Sequence, residues 1–250
     1  KYFISTFYGV FSSNRAPLAK SAVQAILDYV PKGEANAGSV TELRKINADF
    51  VNQKIEKGDI DPVKGIEGAL LYPVGIGPLG MKLDASYHGQ TLDAAFSACL
   101  LIDYYEATLD QDFLQNDLYP YLKKAAKFYE AWLEKEDDKY VLYAGYNEGS
   151  WATNAAAELA MLKNVLHHAI EYSEKLDIDA DKRALWTEIL GGLAPQPTSV
   201  FNGKTGYGLA ELEYNKTTGT WSPMVNPVPG DGNIIPLESV APGDQIGYYS

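Results

Sequence analysis

Apolar residues recur every three or four positions over residues 118–133, which is the spacing of one face of a helix. The residues of this stripe are Leu118, Tyr121, Leu122, Ala125, Phe128, Tyr129, Trp132 and Leu133. Asp117 stands where an N-cap would stand, and Pro120 falls in the first turn, where a missing N–H costs little. The pattern predicts a helix that begins near Leu118.

The same periodicity predicts several other helices. Two long ones are expected at about Gln90–Ala107 and Asn154–Lys175, and the shorter ones at Pro17–Tyr29, Thr41–Lys57 and Asp181–Leu190. The link Lys139–Trp151 holds a short extended piece, Tyr140–Tyr143. Helices joined by short links predict an all-α fold class built from helical hairpins.

The chain after Pro195 has a different composition. Gly, Pro, Thr and Asn become frequent, which predicts a long irregular region over residues 195–250. Apolar residues such as Trp221, Ile234 and Leu237 are spaced through it, so we expect this region to be ordered rather than unfolded.

Composition narrows the function classes. The 250 residues are 46% hydrophobic, enough for a sizeable core, and the net charge of −12 disfavours nucleic acid as a partner. Apolar runs are far shorter than the roughly 20 residues that span a bilayer, so we expect no membrane association. The sequence leaves the oligomeric state open.

Cysteine and histidine are too few and too scattered for a metal site. Cys99 is the single cysteine and lies in an apolar helical run, where a buried, inert thiol is expected. His167 and His168 lie within a predicted helix, where we expect structural roles. We therefore expect no metal and no cofactor.

The best candidate for chemistry is Glu148. It lies in a Gly-flanked link, beside Asn147 and between the aromatic residues Tyr146 and Trp151. Aromatic walls solvate a carboxylate poorly and raise its pKa toward the range useful to a general acid. Alternatively, Glu148 serves only in hydrogen bonding near the start of the next helix, and the residues alone leave the two interpretations balanced.

Two other segments have the composition of a pocket rim. Residues 70–80 are dense in turn residues and are followed by Asp84 and His88, either of which could meet a ligand hydroxyl. Capping and packing of the next helix explain the same residues. The stretch Asn226–Asn233 could be a sugar-binding loop or a string of turns, and the sequence does not separate these.

Several segments occur in an order that resembles the catalytic domain of six-hairpin glycosidases. They are Gly68–Pro73, Tyr87–Gln90, Ile102–Leu114, Leu118–Tyr129 and Pro242–Ile246. The most specific strings are Thr-x-Asp-x-x-Phe-Leu and Leu-Tyr-Pro-x-Leu-Lys-x-Ala-Ala-x-Phe. The resemblance is closest to the family 95 glycoside hydrolases, the alpha-L-fucosidases and their relatives, and more distant to family 65.

The resemblance implies an (α/α)6 barrel, of which residues 1–250 form part of one helical catalytic domain, with 195–250 on its active-site face. It also implies an inverting glycosidase with Glu148 as general acid, and a catalytic base that lies outside this chain. A secreted or periplasmic location is implied as well. The expected sugar-binding residues are Asp84, His88, Tyr146, Asn147, Trp151 and Asn233.

Three other functions stay open at this point. A glycoside phosphorylase would use phosphate where a hydrolase uses a base and water. A catalytically inactive homologue would bind carbohydrate without turnover. A helical interaction domain would expose the link around Glu148 and carry no deep pocket.

Overall fold

The computed structural model describes most of the chain. The described residues are 2–38, 65–83, 90–143, 145–147, 150–215, 217–218, 220–224 and 235–245. The predicted helix Thr41–Lys57 lies outside them.

Nine α-helices occur within these residues. They are α1 (Tyr2–Ser5), α2 (Tyr8–Ser12), α3 (Lys20–Asp28), α4 (Val30–Gly38), α5 (Asp93–Thr108), α6 (Gln111–Phe113), α7 (Tyr119–Trp132), α8 (Ala156–Leu176) and α9 (Ala180–Gly192). Short 3₁₀ turns precede α3 and cover Pro78–Gly80 and Ile235–Ser239. The predicted helices that fall in the described residues are all confirmed, to within a few residues at their ends.

The described part of the chain also contains ten short strands. They are β1 (Gly75–Ile76), β2 (Lys82–Leu83), β3 (Glu134–Glu136), β4 (Lys139–Val141), β5 (Gly145–Asn147), β6 (Ser150–Thr153), β7 (Thr198–Phe201), β8 (Lys204–Tyr207), β9 (Leu212–Asn215) and β10 (Thr220–Pro223). β1–β2, β3–β4 and β7–β8 are isolated antiparallel pairs, whereas β10-β9-β6-β5 form one antiparallel sheet.

The start of α7 differs from the prediction. A π-helical turn, Leu114–Leu118, joins α6 to α7, so the chain is helical without a break from Gln111 to Trp132. The cap is Asp110, whose side chain accepts hydrogen bonds from the backbone N–H groups of Asp112 and Phe113 at 3.0 and 3.1 Å. Asp117 lies inside the helical run, where no free N–H groups await a cap, and its predicted role as N-cap is wrong.

Two long helices, α5 and α8, run parallel to each other. Thr91, just before α5, contacts Glu158 in the first turn of α8, and at the other end the rings of Tyr105 and Tyr172 pack edge to face at 5.1 Å. α7 runs the opposite way, because its final turn brings Tyr129 to Glu158. These helices form one core in which the whole stripe predicted for α7 is buried.

α9 covers this core from outside. Trp186 is completely buried, and its Nε1 donates to Glu130 of α7 at 2.8 Å. Lys182, one turn earlier, pairs with the other oxygen of Glu130 at 2.6 Å. Together α5, α7, α8 and α9 give the helical-hairpin architecture that the periodicity predicts.

The N-terminal helices are connected to this core by residues 65–74. Leu71 donates its N–H to the carbonyl of Gly33 at 3.1 Å, and Leu70 donates to the carbonyl of Lys124 at 3.2 Å. Tyr72 is buried, and its hydroxyl donates to the carbonyl of Ile26 at 2.6 Å. This segment therefore links α3 and α4 to α7.

Residues 195–224 are more regular than their composition predicts. They contain the β7–β8 hairpin and the β9–β10 hairpin, and the second of these joins β6 in the four-stranded sheet. Within the described part of the chain, none of the helices is long and apolar enough to cross a membrane.

Candidate active site

The predicted site residues fall in three segments of the chain. Glu148, Asp84, His88 and Asn233 lie outside the described residues. The backbone is described at the other three, which are Tyr146 and Asn147 in β5 and Trp151 in β6.

The β5–β6 hairpin brackets Glu148. Tyr146 is in register with Trp151, and Asn147 is in register with Ser150. The two predicted aromatic neighbours of Glu148 are therefore cross-strand partners along the backbone.

The base of this hairpin is bound on both sides. Thr153, the last residue of β6, is in register with Leu212 of β9, and its carbonyl accepts a hydrogen bond from the N–H of Glu211 at 3.1 Å. On the other side, Asn154 donates its N–H to the carbonyl of Leu142 at 2.9 Å. The junction between the hairpin and α8 is thus held in place by hydrogen bonds on both sides.

Asn154 is the central residue of this junction. It is buried, and its φ of +51° puts it in the left-handed region, so it cannot be the first helical residue that the periodicity predicts. Its Oδ1 accepts from the N–H of Leu142 at 3.0 Å, and its Nδ2 donates to Oε2 of Glu211 at 2.6 Å. One side chain therefore joins the hairpin to the segments before and after it.

Each of the three predicted segments has a described neighbour near the start of α8. Residues 84–89 lead into Thr91, which contacts α8 at its first turn. The hairpin around Glu148 leads into the same turn. Residues 225–234 follow β10, which belongs to the same sheet as that hairpin.

A second carboxyl group at this end was not predicted from the sequence. Glu158, in the first turn of α8, has no exposed surface. Its Oε1 accepts hydrogen bonds from Thr91 Oγ1 and from Tyr129 Oη, the latter at 3.2 Å. Oε2 has no hydrogen-bond partner among the described residues.

Burial dominates the electrostatics of Glu158. Loss of solvent raises the pKa of its carboxyl from 4.5 to about 7, although the hydrogen bonds from Thr91 and Tyr129 work in the opposite direction. The carboxyl therefore keeps its proton to a higher pH than a solvent-exposed glutamate does. The signal in the sequence is a single acidic residue within the apolar run Ala155–Leu162.

This shift gives a pH dependence of stability with a definite sign. The folded state holds the Glu158 proton more tightly than the unfolded state, so the free energy of unfolding falls as the pH rises from about 4.5 to about 7. The loss between pH 5 and pH 8 should be on the order of 2 kcal/mol. Urea unfolding at the two pH values should show that Glu158→Gln lacks this part of the loss.

The matched control for this prediction is Glu106→Gln. Glu106 is exposed on α5 and accepts a hydrogen bond from the hydroxyl of Tyr172 at 2.7 Å, so it also belongs to a tyrosine–glutamate pair. Glu106→Gln leaves the Glu158 carboxyl in place, so it should keep the part of the loss that Glu158 contributes, although it removes one of the charges that raise the pKa of Asp103. Equal pH dependence in wild type and Glu158→Gln would contradict the assignment of the buried proton to Glu158.

Another shifted carboxyl lies further along α5, away from this cluster. Burial, Asp244 and Glu106 raise the pKa of Asp103 to about 7. Burial together with Asp103 and Asp244 raises the pKa of the Tyr8 hydroxyl to about 12. Asp103 and Asp244 therefore influence each other electrostatically.

The cysteine has the environment predicted for it. Cys99 is buried, its sulfur lies 3.5 Å from Nδ2 of Asn164, and burial raises the pKa of its thiol. Nearby, Nδ1 of His168 lies 2.9 Å from the carbonyl oxygen of Asn164 on the same helix. The expectation of a buried thiol is confirmed.

Comparison with known proteins gives one family match. The model of the glycosyl hydrolase family 95 catalytic domain matches residues 76–207, which is just over half of the chain and includes both α5 and the β5–β6 hairpin. No curated protein matches the chain. The family match, taken with the observed helices, confirms the predicted helical (α/α)6-type fold.

Proposed function

We propose that this chain, which belongs to glycosyl hydrolase family 95, hydrolyses glycosidic bonds in an oligo- or polysaccharide. Glu148 is the proposed general acid. The observation that carries the proposal is the family match across the hairpin that brackets Glu148. The in-register pairing of Tyr146 with Trp151 supports it. The negative charge of the whole chain suits a neutral sugar better than a phosphate backbone.

The proposed reaction inverts the anomeric centre. Glu148 protonates the glycosidic oxygen as the bond to the leaving group breaks, and a carboxylate base removes a proton from the attacking water. In an inverting site the two carboxyl groups lie about 6.5–9.5 Å apart, which leaves room for that water. We propose that this base lies outside these 250 residues, so the full-length protein is the form to assay.

The remaining predicted residues are proposed to line the sugar subsite. Aromatic rings at positions 146 and 151 offer flat apolar faces to a sugar ring and, by excluding water, favour the protonated form of Glu148. Amide, carboxylate and imidazole groups are suited to the hydroxyl groups of the sugar. These polar residues are Asp84, His88, Asn147 and Asn233.

Product analysis tests the reaction class. The full-length protein, incubated with a panel of α- and β-linked aryl glycosides and oligosaccharides without phosphate, is expected to release free sugar. Proton NMR during the first turnovers should show the anomer opposite to that of the substrate.

Each alternative function gives a different result in that assay. Turnover that requires phosphate and yields a sugar phosphate would identify a phosphorylase. Binding of the oligosaccharides without turnover at any pH would identify a catalytically inactive homologue. Retention of the anomeric configuration would contradict the inverting mechanism.

A further inference from the structure

We propose that Glu158 is a positioning residue, which through Thr91 and Tyr129 holds together the two helix ends that carry the candidate site. The inference rests on the proposed function for its catalytic consequence. Its structural content, that this contact sets the spacing of the segments leading into α5 and α8, can be tested separately.

The contact joins three helices at a single oxygen atom. Oε1 of Glu158 accepts hydrogen bonds from the hydroxyl groups of Thr91 and Tyr129, which lie 67 and 29 residues earlier in the chain. The Tyr129 hydroxyl also lies 3.3 Å from the carbonyl oxygen of Thr91. The start of α5, the end of α7 and the start of α8 therefore meet at one buried point.

The residues of this contact are close in sequence to the segments that contain the candidate site. Thr91 is itself buried and follows the segment that contains Asp84 and His88. Glu158 comes five residues after the end of β6, and the N–H of the intervening Ala156 donates to the carbonyl of Leu209 at 2.8 Å. A shift of α8 relative to α5 would therefore also move the β5–β6 hairpin.

The burial of Glu158 requires an explanation that packing alone does not give. A glutamate without exposed surface costs more than an apolar side chain of similar size unless its hydrogen bonds are satisfied, and here one oxygen has no partner among the described residues. Asp93, at the start of α5, adds a second carboxyl close to Tyr129. Burial of this carboxyl group lowers stability, and we infer that the polar contact serves to hold the helix ends in one arrangement.

The opposite end of the same two helices supplies a matched comparison. There the hydroxyl of Tyr172 on α8 donates to Oε1 of Glu106 on α5 at 2.7 Å. A tyrosine and a glutamate again join α8 to a neighbouring helix, here α5 rather than α7, but this contact lies at the helix ends remote from the β5–β6 hairpin. Removal of either contact should weaken helix packing, whereas only removal of the Glu158 contact should disturb the position of the candidate site.

The variants Thr91→Val, Glu158→Ala and Glu158→Gln test the proposal in the full-length enzyme, with Glu106→Ala as control. Thr91→Val removes one donor while keeping the shape of the side chain, so it remains informative if Glu158→Ala does not fold. Glu158→Gln keeps an acceptor for both hydroxyl groups and should rescue the loss.

The first measurement is amide hydrogen exchange, which needs no substrate. In Thr91→Val and Glu158→Ala, exchange should be about tenfold faster in peptides that cover residues 84–95 and 143–156. Glu106→Ala should change exchange only near the other ends of α5 and α8. Wild-type exchange in both peptides of Thr91→Val would overturn the proposal.

The second measurement is the division of any kinetic loss between kcat and KM. Because misplacement of a catalytic group by about 1 Å can cost on the order of 100-fold, kcat should fall at least about tenfold in Thr91→Val, with KM changed less than about threefold. Glu158→Gln and Glu106→Ala should stay within about threefold of wild type. Unchanged kcat despite faster exchange would overturn the positioning role.

The two proposals fail in different ways. A full-length wild-type protein that releases no sugar contradicts the proposed function, and the exchange measurement still decides whether Glu158 sets the spacing of the two segments.

Discussion

Replacement of Glu148 by Gln in the full-length enzyme is expected to lower kcat for an oligosaccharide about 100-fold to 10,000-fold. An amide cannot donate a proton to the glycosidic oxygen, and a positioned general acid contributes a factor of this size. The shape of the side chain is preserved, so KM should change little. Steady-state kinetics on the purified variant, with thermal unfolding to confirm its fold, give the measurement.

The matched control for this substitution is Glu136→Gln. Glu136 lies in β3, is exposed, and belongs to the separate β3–β4 hairpin. It should keep kcat within about twofold of wild type. Unchanged turnover in Glu148→Gln, or an equal loss in both variants, would contradict the role of Glu148 as the acid.

The second large effect is expected for Asn154→Ala, which should lower the free energy of unfolding by on the order of 3 kcal/mol. Alanine in the left-handed region costs about 1 kcal/mol, and the buried N–H of Leu142 and the carboxylate of Glu211 each lose a hydrogen bond. Urea unfolding at pH 7 measures the loss. Activity should also fall, because the hairpin around Glu148 loses its anchor.

The control Asn202→Ala separates these contributions. Asn202 has a φ of +50° in the turn between β7 and β8, where it is exposed. It should therefore lose only the backbone part, about 1 kcal/mol. Asn154→Gly should be milder than Asn154→Ala because glycine tolerates the backbone conformation. Equal losses in Asn154→Ala and Asn202→Ala would show that the two side-chain hydrogen bonds contribute nothing.

The long helices could be predicted because burial repeats at the helical period. Every member of the α7 stripe, from Leu118 to Leu133, is buried in the core, and the extents of α5, α8 and α9 follow from the same regularity. Periodicity is local information and depends on no distant contact. The family resemblance adds their order, which the match over residues 76–207 confirms.

Helix ends were harder to predict because several residues can cap. Asp110 and Asp117 both have the side chain for an N-cap, and the π-helical turn between them decides in favour of Asp110. Asn154 likewise looks like the first residue of α8, yet it takes a left-handed conformation imposed by its contacts with Leu142 and Glu211. Those contacts come from opposite directions along the chain.

The sheet was not predicted because its pairing joins distant segments. Ala152 in β6 is in register with Glu213 in β9, and the residues between β7 and β10 are rich in Gly, Thr and Asn rather than in alternating apolar residues. Strands this short leave little periodic signal.

Glu158 was overlooked for a related reason. The helical pattern assigns it to an apolar face, where a carboxylate is not expected unless it has partners. Those partners, Thr91 and Tyr129, lie on other helices and become visible only in the fold. The candidate acid Glu148, by contrast, has its aromatic neighbours within three residues in the sequence.

The effect of Glu148→Gln should depend on the leaving group of the substrate if Glu148 is the general acid. Two substrates of the same sugar are compared, an oligosaccharide whose leaving alcohol needs a proton and a dinitrophenyl glycoside whose leaving group does not. We expect kcat/KM to fall at least about 100-fold on the first substrate and less than about tenfold on the second. An equal loss on both substrates would contradict the assignment of Glu148 as the general acid.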